Sequence, residues 1–284
     1  MPVRQCQLNA GDTVTLDYDN QFLPCEKKDT KFSYKKADGY LPGVATVGGM
    51  IVWVENRDGN ANVRFRQAET LAREFDALER QSRVMVQNFR ADCGSFSEDI
   101  LKVVATHSER FYIRASNCQP RYTDFMEHTG WEEAVIGGQR CGVASFGFVN
   151  MLPELRLRLV VQRTLVDDGS KDKPQGLFGP MYIDRCIVTN NWENTERDII
   201  IYYNKRGASE RNFDYQNNDF GWAHLPFSFL KENTMFLIAT AMVENFYIFL
   251  LDILSRRVKG LDSRARLKRF ISVHEKFLTI IGVC

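Results

Sequence analysis

Between Thr13 and Asp19 apolar and polar residues alternate without a slip. Val14, Leu16 and Tyr18 point to one side, and Thr13, Thr15, Asp17 and Asp19 to the other. That period belongs to a half-buried strand, and it delivers two carboxylates to one face near the strand's C-terminal end. The rest of the chain has to build a sheet around it. GVATVGGMIVWVE supplies two neighbouring strands with a turn at Gly48 and Gly49, and ENRDGN breaks the pattern at Asp58 and Gly59. The period then changes to that of a helix, from about Phe65 to Gln81, with Leu71, Phe75 and Leu78 inward. RVMVQNFRAD is a second strand ending at Asp92. Ser95 or Ser97 caps a helix that runs to about Thr106, and FYIRA is another strand. Three strands, helix, strand, helix, strand is an α/β layout.

From Ser116 to about Met181 the character changes. Short strands (CGVASFGFV, LRLRLVVQR) and the polar loop DDGSKDKPQGLFGP predict a β-rich insertion at 116–181. It divides an α/β core into a first part, 1–115, and a second part, 182–284. The second part opens with YIDRCIVTNN and a helix capped near Asn194 or Thr195 that runs through RDIIIYYNKRGASERNF. From about Phe227 the chain is helical and ends in a basic tail: Ile253 to Cys284 holds eight Lys/Arg against Asp262 and Glu275, 8 − 2 = +6. The tail reads equally as a basic arm or a solvated charged face. Over the whole chain the net charge is only +1, so no global basic field announces a nucleic-acid partner.

Seven cysteines without a C-x-x-C pair, and four scattered histidines, argue against a disulfide framework and a zinc site and point to a reducing cytoplasm. The start, MPVRQCQLNAGD, is polar and reads as no signal peptide. The apolar run Met235 to Leu251 has Glu244 and Asn245 at its middle, which favours a core helix over a membrane span.

Three acids stand out by position. Asp19 closes the first strand, Asp92 a later one, and Glu210 lies on the helix after the resumed sheet. Converging carboxylates make a cup of hard oxygen ligands suited to Mg²⁺, with Mn²⁺ as a substitute. Asp17 shares the face of Asp19 and is the alternative first ligand. Lys27, Lys28, Lys31, Lys35 and Lys36, interleaved with Phe32, Tyr34 and Tyr40, describe either a groove that follows phosphates while aromatics stack on unpaired bases, or a β-hairpin with a solvated lysine face. Arg57, Asn60 and Arg64 would reach the site from a neighbouring turn or serve as turn residues. Trp222 is a base-stacking wedge or a packed core tryptophan.

YNKRGASE, Tyr203 to Glu210, has the spacing Tyr-x-x-Arg-x-x-x-Glu. With Asp19 in LDYDNQF and Asp92 in RADCGSF, it resembles a DDE transposase of bacterial insertion sequences. YKKADGYLPGVA, ENRDGNANVRF, RADCGSFSEDI, FYIRASNC, ERNFDYQNNDFGW and LPFSFLKENTMF resemble one branch of that family in order, from roughly Thr13 to Ser272. The resemblance implies an RNase H-like mixed sheet flanked by helices, with a β-strand insertion between the second Asp and the Glu. It implies cleavage of double-stranded DNA at transposon ends and transfer of the freed 3′-hydroxyl to target DNA, with Asp19, Asp92 and Glu210 holding two divalent ions. Tyr203 and Arg206 would touch phosphate near the scissile bond, Arg206 through its guanidinium fork or, otherwise, as a surface ion pair, with Tyr203 as core filler. A homodimer on DNA and a nucleoid-associated cytoplasmic protein are also implied. Two departures stand. Asn217 occupies the position, seven residues after the Glu, where the broader motif has Lys, leaving Lys205 or Arg211 to supply a basic group. The dozen residues before Thr13 are too few for the family's helical end-recognition region. A DNA-binding remnant without activity, or a nuclease that cuts without joining, are the alternatives.

Overall fold

The computed structural model describes residues 8–116, 118, 121–148, 151–165, 175–176 and 179–257; the side chains at 175–176, 179–180, 208–211, 255 and 257 lie outside that description, as does the basic tail from 258 on. In chain order the strands are β1 (Thr13–Asn20), β2 (Leu23–Pro24), β3 (Lys31–Phe32), β4 (Asp38–Tyr40), β5 (Gly43–Val47), β6 (Met50–Glu55), β7 (Met85–Ala91), β8 (Arg110–Arg114), β9 (Glu132–Ile136), β10 (Gln139–Phe148), β11 (Leu157–Leu165), β12 (Gln175–Gly176), β13 (Gly179–Pro180) and β14 (Tyr182–Thr189). The helices are α1 (Gln67–Asp76), α2 (Glu98–His107), α3 (Tyr122–Glu127), α4 (Glu196–Asn204), α5 (Ala208–Asp219) and α6 (Leu230–Arg257). Internal contacts divide the chain into two compact units. The first holds the described residues up to Phe65, then Glu79–Val84 and the described residues from Gly207; the second holds the described residues of Arg66–Leu78 and Met85–Arg206.

In the first unit β1, β5 and β6 form an antiparallel run, with Leu16 opposite Val47 and Asn20 opposite Gly43. The alternation read from the sequence holds. Val14, Leu16 and Tyr18 are buried, while Asp17 and Asp19 are half-buried on the other face. Gly48 and Gly49, both at positive φ (59° and 93°), make the β5–β6 turn that a side chain would strain. Helix α6 lies along β6. The Asn245 amide donates to Ile51 O (2.6 Å) and accepts from Ile51 N (2.8 Å), satisfying both backbone groups of a strand that has lost its next neighbour. A core of Leu23, Tyr40, Val44, Ile51, Trp222, Leu225, Leu237 and Ala241 fills the space between. Among the described residues α6 is the one helix long and apolar enough to cross a membrane by length and composition. Its buried Glu244 and the Asn245–Ile51 pair tie one face of α6 to the sheet, while Met235, Met242, Val243 and Phe246 on it are exposed, so it is less buried than the core helix expected from its two central polar residues.

The second unit is a mixed α/β sheet flanked by helices. β7 and β8 run parallel, joined by α2, and α1 packs on α2. β8, β14, β11, β10 and β9 follow in antiparallel order. The β-rich segment therefore does not stand apart: β11 pairs with β14 over eight residues, Arg158↔Thr189 to Leu165↔Tyr182, and so continues the sheet that β7 and β8 begin. Helix α4 covers β9, β10 and β11 with Ile199, Ile200 and Tyr203 over Ile136, Val143 and Val160. Its N-terminus is capped as expected, Thr195 Oγ1 accepting from Asp198 N at 3.2 Å.

The single helix expected through RDIIIYYNKRGASERNF is two. α4 stops at Asn204, Lys205–Gly207 is a 3-10 turn, and α5 starts at Ala208. Gly207, with its poor helix propensity, ends the tight turn, and Arg90 takes a last-turn carbonyl of α4.

Candidate active site

The end of β7 is where chemistry gathers in the second unit. Asp92 is the first residue beyond the strand, because its side chain is used to cap the turn Cys93–Ser95: Oδ1 accepts from Gly94 N at 2.9 Å. Two contacts pin the end of α4 to the same strand end. Arg90 Nη1 donates to Tyr202 O (2.7 Å), a carbonyl left over in the last helical turn, while its guanidinium lies 4.9 Å over the Tyr202 ring. Tyr203 Oη donates to Ala91 O at 3.2 Å. Burial pushes the Tyr203 hydroxyl up to about 12. The Arg206 and Arg114 charges pull it back and the Asp92 charge adds to the rise, which sets all three within electrostatic reach of one phenol.

Tyr203 is thus tied to the residue before Asp92, and Tyr203 and Arg206 are both buried, at 7% exposure. Tyr203 is the core filler that was its alternative reading; its hydroxyl is engaged by backbone and holds the strand end in place. One basic residue here escaped the reading of the sequence. In the parallel register Ala91 pairs with Ile113, so Arg114 is the next residue of β8, level with Asp92 and half-exposed. Its signal was available only through that pairing.

In the first unit Asp19 is the penultimate residue of β1, opposite Val44, and its Oδ1 accepts from Asn20 N at 2.9 Å. The residues after it are held tightly. Asn20 Oδ1 accepts from Arg57 Nη2, and Gln21 Nε2 donates to Asn217 Oδ1 at 2.7 Å. A Cβ at Gly43 would sit 2.0 Å from Tyr18 Oη and 3.1 Å from Arg57 Nη2, so only glycine admits this packing. Asn217, standing where the broader motif has Lys, is therefore the tie between the end of β1 and α5. Position 210 is two turns earlier on that helix, and its side chain lies outside the described residues. The motif Tyr203 to Glu210 crosses the boundary of the two units, which falls between Arg206 and Gly207.

The remaining expected residues separate by exposure. Arg57 is buried, and its Nη1 donates to Val63 O (3.0 Å) and Phe65 O (3.3 Å), so it organises the turn from inside. Asn60 and Arg64 are exposed on that turn, and Lys35 and Lys36 on the β3–β4 hairpin. The DNA contact expected of Trp222 is corrected: it is 1% exposed in the first unit's core, and its indole N–H donates to Thr240 Oγ1 at 2.9 Å, so no base can reach it.

As ligands for Mg²⁺ the two aspartates fit by donor chemistry. Each is a half-buried carboxylate oriented by a backbone N–H, leaving solvent access that such an ion keeps. Among the described side chains, Glu210 not being one, no group of three His, Cys, Asp or Glu converges. A cleft of about 740 Å³ lies elsewhere in the second unit, lined by Met126, His128, Trp131, Arg140, Arg163 and Tyr182 among others, and none of the expected site residues lines it. No protein-family model matches the chain, and no curated protein matches it.

Proposed function

We propose that the chain is the catalytic core of a DDE transposase with an RNase H-like fold, cutting double-stranded DNA and joining the freed 3′-hydroxyl to target DNA in the bacterial cytoplasm. The observation that carries this reading lies at the end of β7: Tyr203, the first residue of the motif, donates to Ala91 O, the residue before Asp92. The antiparallel β1–β5–β6 run, the parallel β7/β8 pair and the tie from β1 to α5 support the same reading.

Asp19, Asp92 and Glu210 would hold two divalent cations. When bound, such ions lower the pKa of water or a hydroxyl and neutralise charge on phosphoryl oxygens. The chain's own groups do the rest. One oxygen of each aspartate is held by backbone, Asp92 by Gly94 N and Asp19 by Asn20 N. Arg206, on the turn after α4, and Arg114, level with Asp92 in the parallel register, would supply guanidinium charge to a phosphodiester there. Arg90 and Tyr203 keep α4 seated on β7 and so fix the position of Arg206.

The test is an incubation with a duplex carrying the inverted repeat that flanks the gene, a target plasmid and Mg²⁺ or Mn²⁺. Joined products are expected, and their loss with Asp92→Ala. Nicks without joining would reduce the reading to a nuclease. DNA binding with no cleavage would make the chain a remnant.

A further inference from the structure

The β3–β4 hairpin has an unusual surface for a small sheet. Its loop, Tyr34-Lys35-Lys36, is closed by Ser33 N to Ala37 O (2.9 Å) and Lys36 N to Ser33 O (2.9 Å), with Lys36 in the left-handed region at φ 60°. This fixed tip exposes two rings two residues apart, Phe32 at 65% and Tyr34 at 67%, with Lys35 Nζ 5.2 Å from the Tyr34 ring centre. The base of the hairpin is locked to a segment nearly two hundred residues away. Lys28 N donates to Ser228 O (3.0 Å), and Leu230 N donates to Asp29 Oδ2 (2.8 Å). That lock stands exposed Phe229 beside Lys28, whose Nζ lies 5.4 Å from the ring centre. Asp29 is the one acid between Lys27 and Lys36, and it is turned inward, accepting also from the Tyr40 hydroxyl. At the tip, from Lys31 to Lys36, what faces solvent is therefore lysine and bare aromatic ring, with half-buried Asp38 on the facing strand and exposed Glu26 ahead of the hairpin.

Lysines alone would suit any phosphate backbone. Exposed rings on a rigid tip suit a partner that offers flat π-faces as well as phosphates, and a closed duplex hides its base faces in the stack. Resting on the reading that the chain acts on DNA, we infer that this surface binds unpaired DNA. Phe32, Tyr34 and Phe229 stack on bases while Lys28, Lys35 and Lys36 neutralise the backbone. The hairpin then selects DNA whose strands have been opened.

The experiment is fluorescence anisotropy in EDTA, with a labelled 20-nucleotide oligo-dT and a 20-base-pair blunt duplex as probes. Binding needs no metal, so it is separate from cleavage. Replacing both rings, Phe32→Ala with Tyr34→Ala, should weaken oligo-dT binding about 10- to 100-fold and duplex binding less than about 2-fold. Lys35→Ala with Lys36→Ala should weaken both probes and flatten the salt dependence of each. Unchanged oligo-dT binding by the ring variant, or equal loss on both probes, overturns the inference. A wild-type chain that binds duplex but not oligo-dT overturns it too and leaves the transposase reading standing. Binding to neither probe overturns both. An inactive Asp92→Ala variant that still prefers oligo-dT supports this inference alone. Both rings are exposed, so the urea midpoint of the ring variant should match wild type.

Discussion

Cations lie over aromatic rings in two regions of this molecule, and they mean different things. In the second unit Arg163 sits 4.3 Å from the Trp131 ring centre and 5.1 Å from that of Tyr182. It makes a two-bond ion pair with Asp184 (2.8 and 3.0 Å) and donates to Phe125 O at 2.8 Å. In the first unit Lys35 over Tyr34 and Lys28 over Phe229 are open to water. In the first arrangement the charge is matched and the donors are used, and it holds α3, β11 and β14 together, although its two rings line the cleft. The second stabilises little and leaves both ring and charge available. The same residue types thus serve stability where their partners are internal; where they are not, they are left available, as the inferred binding of unpaired DNA requires.

The distinction can be broken or sharpened by substitution. The largest effect is expected from Arg163→Ala, which leaves the Asp184 carboxylate nearly buried without its partner and should lower stability by about 3–5 kcal/mol in urea unfolding. Trp222→Phe keeps most of the core volume but removes the bond to Thr240, and about 1–2 kcal/mol should be lost; an increase in DNA affinity from this variant would contradict its internal role. Tyr203→Phe should cost about 0.5–1.5 kcal/mol at neutral pH through the lost bond to Ala91. Its pH dependence has a definite sign. The folded chain holds the phenol neutral up to about 12 against an ordinary 10, so its contribution is full below pH 10 and disappears as pH rises through 12. Urea midpoints between pH 10 and 12 should therefore fall more steeply for wild type than for the Phe variant. The smallest effect, within about 0.5 kcal/mol, is expected from Tyr34→Ala. A loss there as large as that from Arg163→Ala would erase the difference between the two regions.

The local periods were legible. β1, the Gly48–Gly49 turn, α2, β8 and β14 fall where alternation, caps and glycines put them. Four features were not, for one physical reason: they depend on partners remote in the chain. The pairing of β11 with β14 makes the β-rich segment part of a larger sheet, and no local pattern encodes a register. Arg57 looked like a turn residue near DNA, but Asn20, 37 positions away, draws its guanidinium inward. Arg114 had no motif of its own and acquires its place only through the parallel pairing of β7 and β8. At the site, Asp92 was singled out by its place at a strand end, and Tyr203 and Arg206 by the resemblance; the break at Lys205–Gly207 was not legible, because Arg90 reaches the end of α4 from another strand.

We propose that three acids far apart in the sequence serve one metal-dependent reaction on DNA. This is tested most directly by the rate at which supercoiled plasmid is nicked in Mn²⁺ by Asp19→Asn, Asp92→Asn and Glu210→Gln, each beside wild type. Each neutral isostere should slow nicking by about 100-fold or more while plasmid binding in EDTA persists. Nicking at the wild-type rate by any one of the three would contradict the assignment.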